Sequence, residues 1–483
     1  MTASGSIWVG SLELDGIDQV TGLNGPARED QRLARVLVCL HGAPLGFVTV
    51  PVAPRATLTP RVQTAAKAEL ADALGRHLDY DARVGAGQHG ASEHGAGQHG
   101  AGQHGASQHG ASQHGASEHG ASEPGDGRWA ATVACPRQFA PEGAGITVVV
   151  CTRNRTQGLR ECLLAIGRIG YRPLEILVVD NAPDGSQTAD LVEVMARADQ
   201  RIRYIAEPRP GLSVARNTGL AAATHGIVAF TDDDALADPG WPAALAAGFA
   251  ADPQAACVTG FVAAGALDTG SERYFDSRYS WSEVSDPRQY DLTEHRLAMR
   301  LYPFRAGIFG TGANFAVRRD VIAGLGGFDP LLGAGAPGRG GEDLDIFLRL
   351  ILSGARICYL PAAFVWHRHR SDPRALGEQT YSYGHGLGAY LAKHRSNPAL
   401  RAALLREGVP HLGALIGRMR RATRESQLGP GGGRLAFIEA RGVLAGALAY
   451  PRAARALRVA RQRPDPASAG LAADPAPADA GQR

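Results

Sequence analysis

Apolar runs and amphipathic stretches alternate regularly from residue 146 to residue 230. Ile146 to Val150 is an unbroken, largely β-branched apolar run, a helical stretch follows to about Arg168, and Leu174 to Val179 is a second such run. Arg203 to Ile205 begins a third strand, Leu212 to Ala223 reads as a helix, and Ile227 to Phe230 is a fourth strand. Strands that are apolar on both faces and alternate with helices predict an α/β fold with a mostly parallel sheet and helices on both faces. Such sheets bind ligands at the carboxyl ends of their strands.

The flanks follow other patterns. Residues 34–50 hold two β-rich runs separated by Gly and Pro, and a helical pattern covers Thr59 to Leu78, so residues 1–84 read as a small N-terminal α/β module. From residue 85 to 123 a five-residue unit rich in Gly and Ala places histidines at 89, 94, 99, 104, 109, 114 and 119. A period of five fits neither helix nor strand, so residues 85–130 are expected to form a disordered, low-complexity Gly/His-rich linker. Residues 376–463 read as a helical, basic C-terminal region, and 464–483 as a disordered tail.

Composition changes this picture in three places. With 44% hydrophobic and 20% charged residues the chain reads as globular, and a net charge of +3 without any recognisable binding motif argues against a nucleic-acid partner. Thirteen Arg against three Glu in residues 401–463 suit either a solvated helical face or an anionic surface. The six cysteines lack metal-ligand spacing and read as small buried hydrophobes of a reducing compartment. Arg434, Glu439 and Arg441 interrupt the best candidate for a spanning helix, and no basic-then-apolar leader opens the chain. The expected location is cytoplasmic, with a peripheral contact at the inner face of a membrane.

The candidate chemistry sits at the strand ends. The first ends Cys151-Thr152-Arg153-Asn154-Arg155, which is not the glycine-rich turn of a dinucleotide site, and the second ends Val179-Asp180-Asn181. The fourth ends Thr231-Asp232-Asp233-Asp234, three adjacent carboxylates that repel one another unless a cation lies among them. Residues two apart on an extended segment share a face, so Asp232 and Asp234 are expected to aim at one site and Asp233 away from it. Oxygen ligands select Mg or Mn, whose natural partner is a diphosphate. Gly341-Glu342-Asp343 opens an amphipathic helix, and an acceptor hydroxyl needs a base of the kind Asp343 offers. A later strand runs into His367-Arg368-His369, where His367 or His369 is placed to complete the metal shell.

Together these motifs, spread over residues 145–375, resemble the family 2 glycosyltransferases, inverting enzymes with the Rossmann-like GT-A fold. The resemblance rests on Val-Val-Val-Cys-Thr-Arg-Asn-Arg155, Val-Val-Asp180-Asn181, Gly211-Leu-Ser-Val-Ala-Arg216-Asn217-Thr-Gly219, the Asp triplet and Gly-Glu342-Asp343. It implies that Thr152, Arg153 and Asp180 contact the nucleoside, that Arg216 and Asn217 line the donor site, and that Asp232 and Asp234 bind metal and diphosphate. It makes Asp343 the base, with Glu342 beside it. The frame of the family's Asp-x-Asp is ambiguous within the triplet, since Asp233 can stand for a neighbour.

The function expected is inverting transfer from a nucleotide-diphosphate sugar to an acceptor hydroxyl, in cell-surface glycan, glycolipid or secondary-metabolite glycosylation, with a lipid-linked acceptor among the candidates. Two rival readings are a noncatalytic nucleotide-sugar binding protein and a metal-binding scaffold built on the His repeat.

Overall fold

The computed structural model describes residues 5–16, 19–89, 128–279, 284–402 and 432–462, together with residues 282 and 405. The N-terminal module comprises β1 (Ile7–Glu13), β2 (Thr21–Gly22), β3 (Leu33–Leu40), β4 (Ala43–Pro51), α1 (Arg55–Glu69) and α2 (Ala71–His89). Its sheet runs β2-β1-β3-β4, and the hairpin read from the sequence is the antiparallel β3–β4 pair. The single helical pattern is in fact two helices that break at Leu70. α2 continues to His89, so the first five residues of the expected linker are helical. The remaining histidines of the repeat, most of residues 403–431 and the tail after 462 lie outside the described residues.

The rest of the chain builds a larger unit. It contains α3 (Arg128–Val133), β5 (Glu142–Thr152), α4 (Thr156–Gly167), β6 (Arg172–Asn181), α5 (Gln187–Ala198), β7 (Ile202–Glu207), α6 (Leu212–Ala222), β8 (Ile227–Asp232) and β9 (Ala235–Ala237). Then follow α7 (Trp241–Ala251), β10 (Ala255–Ala264), α8 (Gly270–Arg278), β11 (Arg288–Tyr290), β12 (Asn314–Arg318), α9 (Arg319–Gly324), α10 (Glu342–Leu352), β13 (Arg356–His367), α11 (Pro373–His394) and α12 (Gly432–Gln462). The sheet order is β11-β13-β10-β12-β8-β5-β6-β7, with β9 pairing to β13. β7, β6, β5 and β8 form a parallel ladder; β12 then lies antiparallel between β8 and β10, and β10 pairs in parallel with β13. Six strands thus run in one direction, and their carboxyl ends share one edge.

Alternation explains how this sheet is covered. In β5, Ile146, Val148 and Val150 pack into a cluster with Leu159 and Cys162 of α4 and Trp241 and Leu245 of α7. Val149 faces the opposite cluster with Ala215 and Leu220 of α6 and Phe347 of α10. Period-2 geometry sends consecutive side chains to opposite faces, so a strand buried on both sides must be apolar at every position.

The N-terminal module is joined to this unit by a core of its own. β3 splits the same way: Ala34, Val36 and Val38 pack with Val62 of α1, while Leu37 and Cys39 pack with Phe261 of β10 and with Phe364 and Trp366 of β13. Ion pairs of Arg28 with Asp268 and of Arg35 with Asp276 line the same junction. Its odd residues meet the larger sheet and its even residues meet its own helices.

At the other end, α12 lies against α11 along a seam of glycines. A Cβ built on Gly384 would overlap the Glu439 carbonyl, one on Gly388 that of Val443, one on Gly442 that of Tyr381, and one on Gly446 that of His385. Each Gly costs about 1 kcal/mol relative to Ala in a helix interior, so the close backbone approach must return more than that. Replacing Gly446 by Val is expected to push α12 off α11, lowering thermal stability by about 1–3 kcal/mol and exposing residues 432–462 to limited proteolysis. An unchanged melting temperature and digestion pattern would show that the seam is not a tight packing.

Candidate functional site

The parallel strands bring the polar ends together. Thr152 pairs in register with Asp180, and Cys151 with Asp232. After Asp232 the chain turns through Asp233 and Asp234 into β9, which pairs antiparallel with β13 so that Ala235 lies opposite His367. That short strand is what carries a histidine from residue 367 to the carboxylates.

Asp232, Asp234 and His367 offer ligand atoms that all lie within 4.8 Å of one another. His367 Nε2 is 3.1 Å from Asp234 Oδ1 and 3.9 Å from Asp232 Oδ2. Burial alone disfavours protonation of His367, but Asp234 and Asp232 reverse that and raise its pKa. For Asp234, burial is likewise outweighed by His367 and Arg155, which hold it below the usual carboxylate range. Asp232 is pushed up, by burial first and Asp234 next, against the pull of Arg216. Two carboxylates and one imidazole suit Mn or Mg, with positions left for a diphosphate. His369 does not join them: its Nδ1 is 3.4 Å from that of His367, and its ring packs on Phe275.

Asp233 points to the other side within the turn that joins β8 to β9. Its Oδ2 accepts from Thr152 Oγ1 at 2.7 Å and its Oδ1 from Arg155 at 2.5 Å, while Arg155 also donates to Asp234 Oδ2 at 2.8 Å. Burial pushes the Asp233 carboxyl up to about 6 despite Arg155. Geometrically, Asp232 and Asp234 group with His367, while Asp233 anchors the first strand end.

Arg216 links this group to the second acidic pair. Nearly inaccessible and surrounded by Phe230, Phe315 and Phe328, it donates to Glu342 Oε1 and to the Gly312 carbonyl at 3.0 Å each, and its Nη2 lies 3.7 Å from Asp232 Oδ1. Glu342 is buried, and its carboxyl is raised to about 7 by that burial and by Asp343, against Arg216. Asp343 is only half-buried and accepts from the Gly312 N–H at 2.9 Å. α10 starts here because Gly341 caps it at φ 78°, where a Cβ would strike the Gly386 carbonyl at 2.6 Å.

A cavity of about 890 Å³ opens over these groups. Of the residues singled out in the sequence, Arg216, Asp232, Glu342 and Asp343 line it, whereas Thr152, Arg153, Asp180, Asn217, Asp234 and His367 do not. Thr152 is held by Asp233, and Asp180 is fully buried and accepts from the Tyr204 hydroxyl at 3.0 Å. Arg153 is exposed. The expectation that Asn217 lines the donor site is corrected: its amide donates to the Phe328 carbonyl and accepts from the Phe328 N–H, both at 2.8 Å, which occupies it in holding a loop.

Other residues of the site had no motif to announce them. Arg155 stands in a quoted run but shows its role only through Asp233 and Asp234. Tyr279, Gln379, Tyr383 and Glu439 form the far wall of the cavity, and the Tyr279 hydroxyl donates to Glu439 at 3.1 Å. Glu439 lies on α12, outside the stretch that carries the resemblance. In sequence it reads only as an interruption of an apolar run.

Comparison with known proteins covers the stretch that carries these motifs. Residues 141–381 match the model of the family described as Glycosyltransferase like family 2. The pre-mycofactocin glycosyltransferase of Mycobacterium tuberculosis is 31% identical over 332 residues, 68% of this chain, and the chain spans about 62% of that protein's length. The glucosyl-dolichyl phosphate glucuronosyltransferase of Haloferax volcanii is 27% identical over 46% of this chain and 69% of its own. Among solved structures, a mannosyltransferase from Pyrobaculum calidifontis in complex with GDP-Man and Mn2+ shares 23% identity over 69% of this chain and 81% of that one, with a TM-score of 0.38.

Proposed function

Residues 141–381 belong to the family 2 glycosyltransferases, and on that premise we propose that the protein transfers a sugar from a nucleoside-diphosphate donor to an acceptor hydroxyl with inversion at the anomeric carbon. The observation that carries the reading is the arrangement of Asp232, Arg216, Glu342 and Asp343 along one cavity, with Asp234 and His367 adjoining Asp232. A binding protein without catalysis has no use for the second acidic pair.

Asp232, Asp234 and His367 fit a divalent cation by number, spacing and ligand type. Such a cation, Mn or Mg, would supply electrostatic stabilisation for the charge that develops on the leaving diphosphate. Arg216 adds a fixed positive charge between the two acidic groups, oriented by three aromatic rings and the Gly312 carbonyl. Asp343 takes the proton of the attacking hydroxyl: it is the more open of the two carboxylates, and the Gly312 N–H fixes its direction. Glu342 neutralises and positions Arg216. Attack from the Asp343 side, opposite the departing diphosphate, is a single displacement and inverts configuration.

The test is a panel of nucleotide sugars read by released nucleoside diphosphate, with the product's anomeric configuration read by NMR. The acceptor arm includes pre-mycofactocin and polyprenyl-phosphate-linked sugar, after the names of the two relatives. A retained configuration would refute the single displacement, and donor binding without release would favour a binding protein.

A cytoplasmic protein with a peripheral membrane contact is part of the same proposal. Among the described residues no helix is long and apolar enough to cross a membrane. α12 does expose Phe437, Leu444 and Leu448, at helical spacing, together with Arg441 and Arg452. Flotation with anionic vesicles, but not with neutral ones, is the expected result; equal recovery from both would remove the membrane from the proposal.

A further inference from the structure

Outside the cavity, four side chains from three distant segments converge at the base of the N-terminal module. His41 stands in the two-residue β3–β4 turn, His77 and Asp81 are one helical turn apart on α2, and Cys135 follows α3. Each offers one ligand atom, and these atoms all lie within 4.8 Å of one another. His41 Nδ1 is 2.9 Å from Asp81 Oδ2, 3.2 Å from Cys135 Sγ and 3.4 Å from His77 Nε2, and His77 Nε2 is 3.9 Å from Asp81 Oδ2. Cys135, His41 and His77 are buried at their side chains, and Asp81 Oδ1 is buried without a hydrogen-bond partner.

We propose that His41, His77, Asp81 and Cys135 form a structural zinc site that fastens the N-terminal module to the segment entering the catalytic domain. Tetrahedral zinc with bonds of about 2.0–2.3 Å to nitrogen, oxygen and sulfur sets its ligand atoms about 3.3–3.7 Å apart, close to the separations here. A hydrogen-bond network explains the cluster less well. A single ring nitrogen, His41 Nδ1, faces three partners, and one proton or one lone pair satisfies only one of them. A cation at their centre accepts all four lone pairs together.

The surroundings are built to hold the ligands. Glu13 accepts from the backbone N–H groups of His41 and Gly42 at 2.7 and 2.9 Å, pinning a turn whose two residues both have positive φ, 57° and 82°. Sulfur and two nitrogens select zinc over the hard cation suited to Asp232 and Asp234, and four protein ligands leave no open position for catalysis. The ligands stand at 41, 77, 81 and 135, so no motif spacing marks the site.

The test uses the full chain, stripped by chelator and titrated with Co2+. A thiolate-to-cobalt charge-transfer band in the near ultraviolet requires a cysteine ligand, which neither the His repeat nor the Asp232–Asp234–His367 group contains. The band is expected in the wild type at one equivalent and absent in Cys135→Ser, while stoichiometric Zn2+ raises the melting temperature of the wild type and not of the variant. His77→Gln, which keeps the thiol, is expected to weaken the band and serves if Cys135→Ser does not fold. No charge-transfer band in the wild type, or one that persists undiminished in both folded variants, would overturn the proposal.

Discussion

Asp343→Asn is expected to bind donor and cation normally and to lose sugar transfer by about a hundredfold to ten-thousandfold, the usual contribution of a general base. The amide is nearly isosteric, and its oxygen can still accept from the Gly312 or Leu344 N–H, so the start of α10 should survive with its melting temperature unchanged. Glu342→Gln is the necessary companion, because both carboxylates line the cavity. Glu342 is paired with a buried Arg216, and weakening a buried ion pair destabilises by up to about 3–5 kcal/mol. Its variant should therefore show a lowered melting temperature and weakened donor binding, whereas the Asp343 variant shows a lowered kcat alone. If Asp343→Asn turns over at the wild-type rate while a folded Glu342→Gln does not, the roles are exchanged. If both turn over normally, the base lies elsewhere.

Asp234→Ala is expected to remove turnover by on the order of a thousandfold or more, since a catalytic cation supplies several kcal/mol and each 1.36 kcal/mol is tenfold in rate. The fold should tolerate the change: Arg155 keeps its bond to Asp233, His367 is left near Asp232, and one of three crowded carboxylates is gone. EDTA on the wild type should reproduce the loss, and Mn2+ should restore the wild type but not the variant. Full activity of Asp234→Ala, or of EDTA-treated wild type, would dismiss the cation from the mechanism.

What the sequence disclosed follows from which interactions are local. The strands β5, β6 and β8 were legible because both faces are buried, and the Asp triplet because three adjacent carboxylates at a strand end are chemically conspicuous. His367 was legible as chemistry, but its route to Asp234 was not, since it depends on the three-residue β9. β12 escaped notice for a related reason: Asn314, fully buried where β12 begins, looks polar yet is satisfied by Trp241 and by the Phe261 and Ala363 carbonyls. Asn217 misled in the opposite direction, because a polar residue beside Arg216 looks like a ligand contact until its bonds to Phe328 are seen. Glu439 and Cys135 act across long stretches of chain, where no periodicity reaches.

The glycine seam between α11 and α12 has a consequence for how this enzyme could diversify. Gly386 of α11 touches the Gly340–Gly341 backbone that starts α10, and Glu439 of α12 faces Asp343 across the same cavity. In the proposed mechanism the leaving group is released by residues within 141–381, while Glu439, on a helix outside that stretch, lines the same cavity as the proposed base. The two halves can therefore be altered by separate mutations. On the proposed mechanism, a change at Glu439 would retune what receives the sugar without disturbing how it is set free, provided the small residues at the seam stay small.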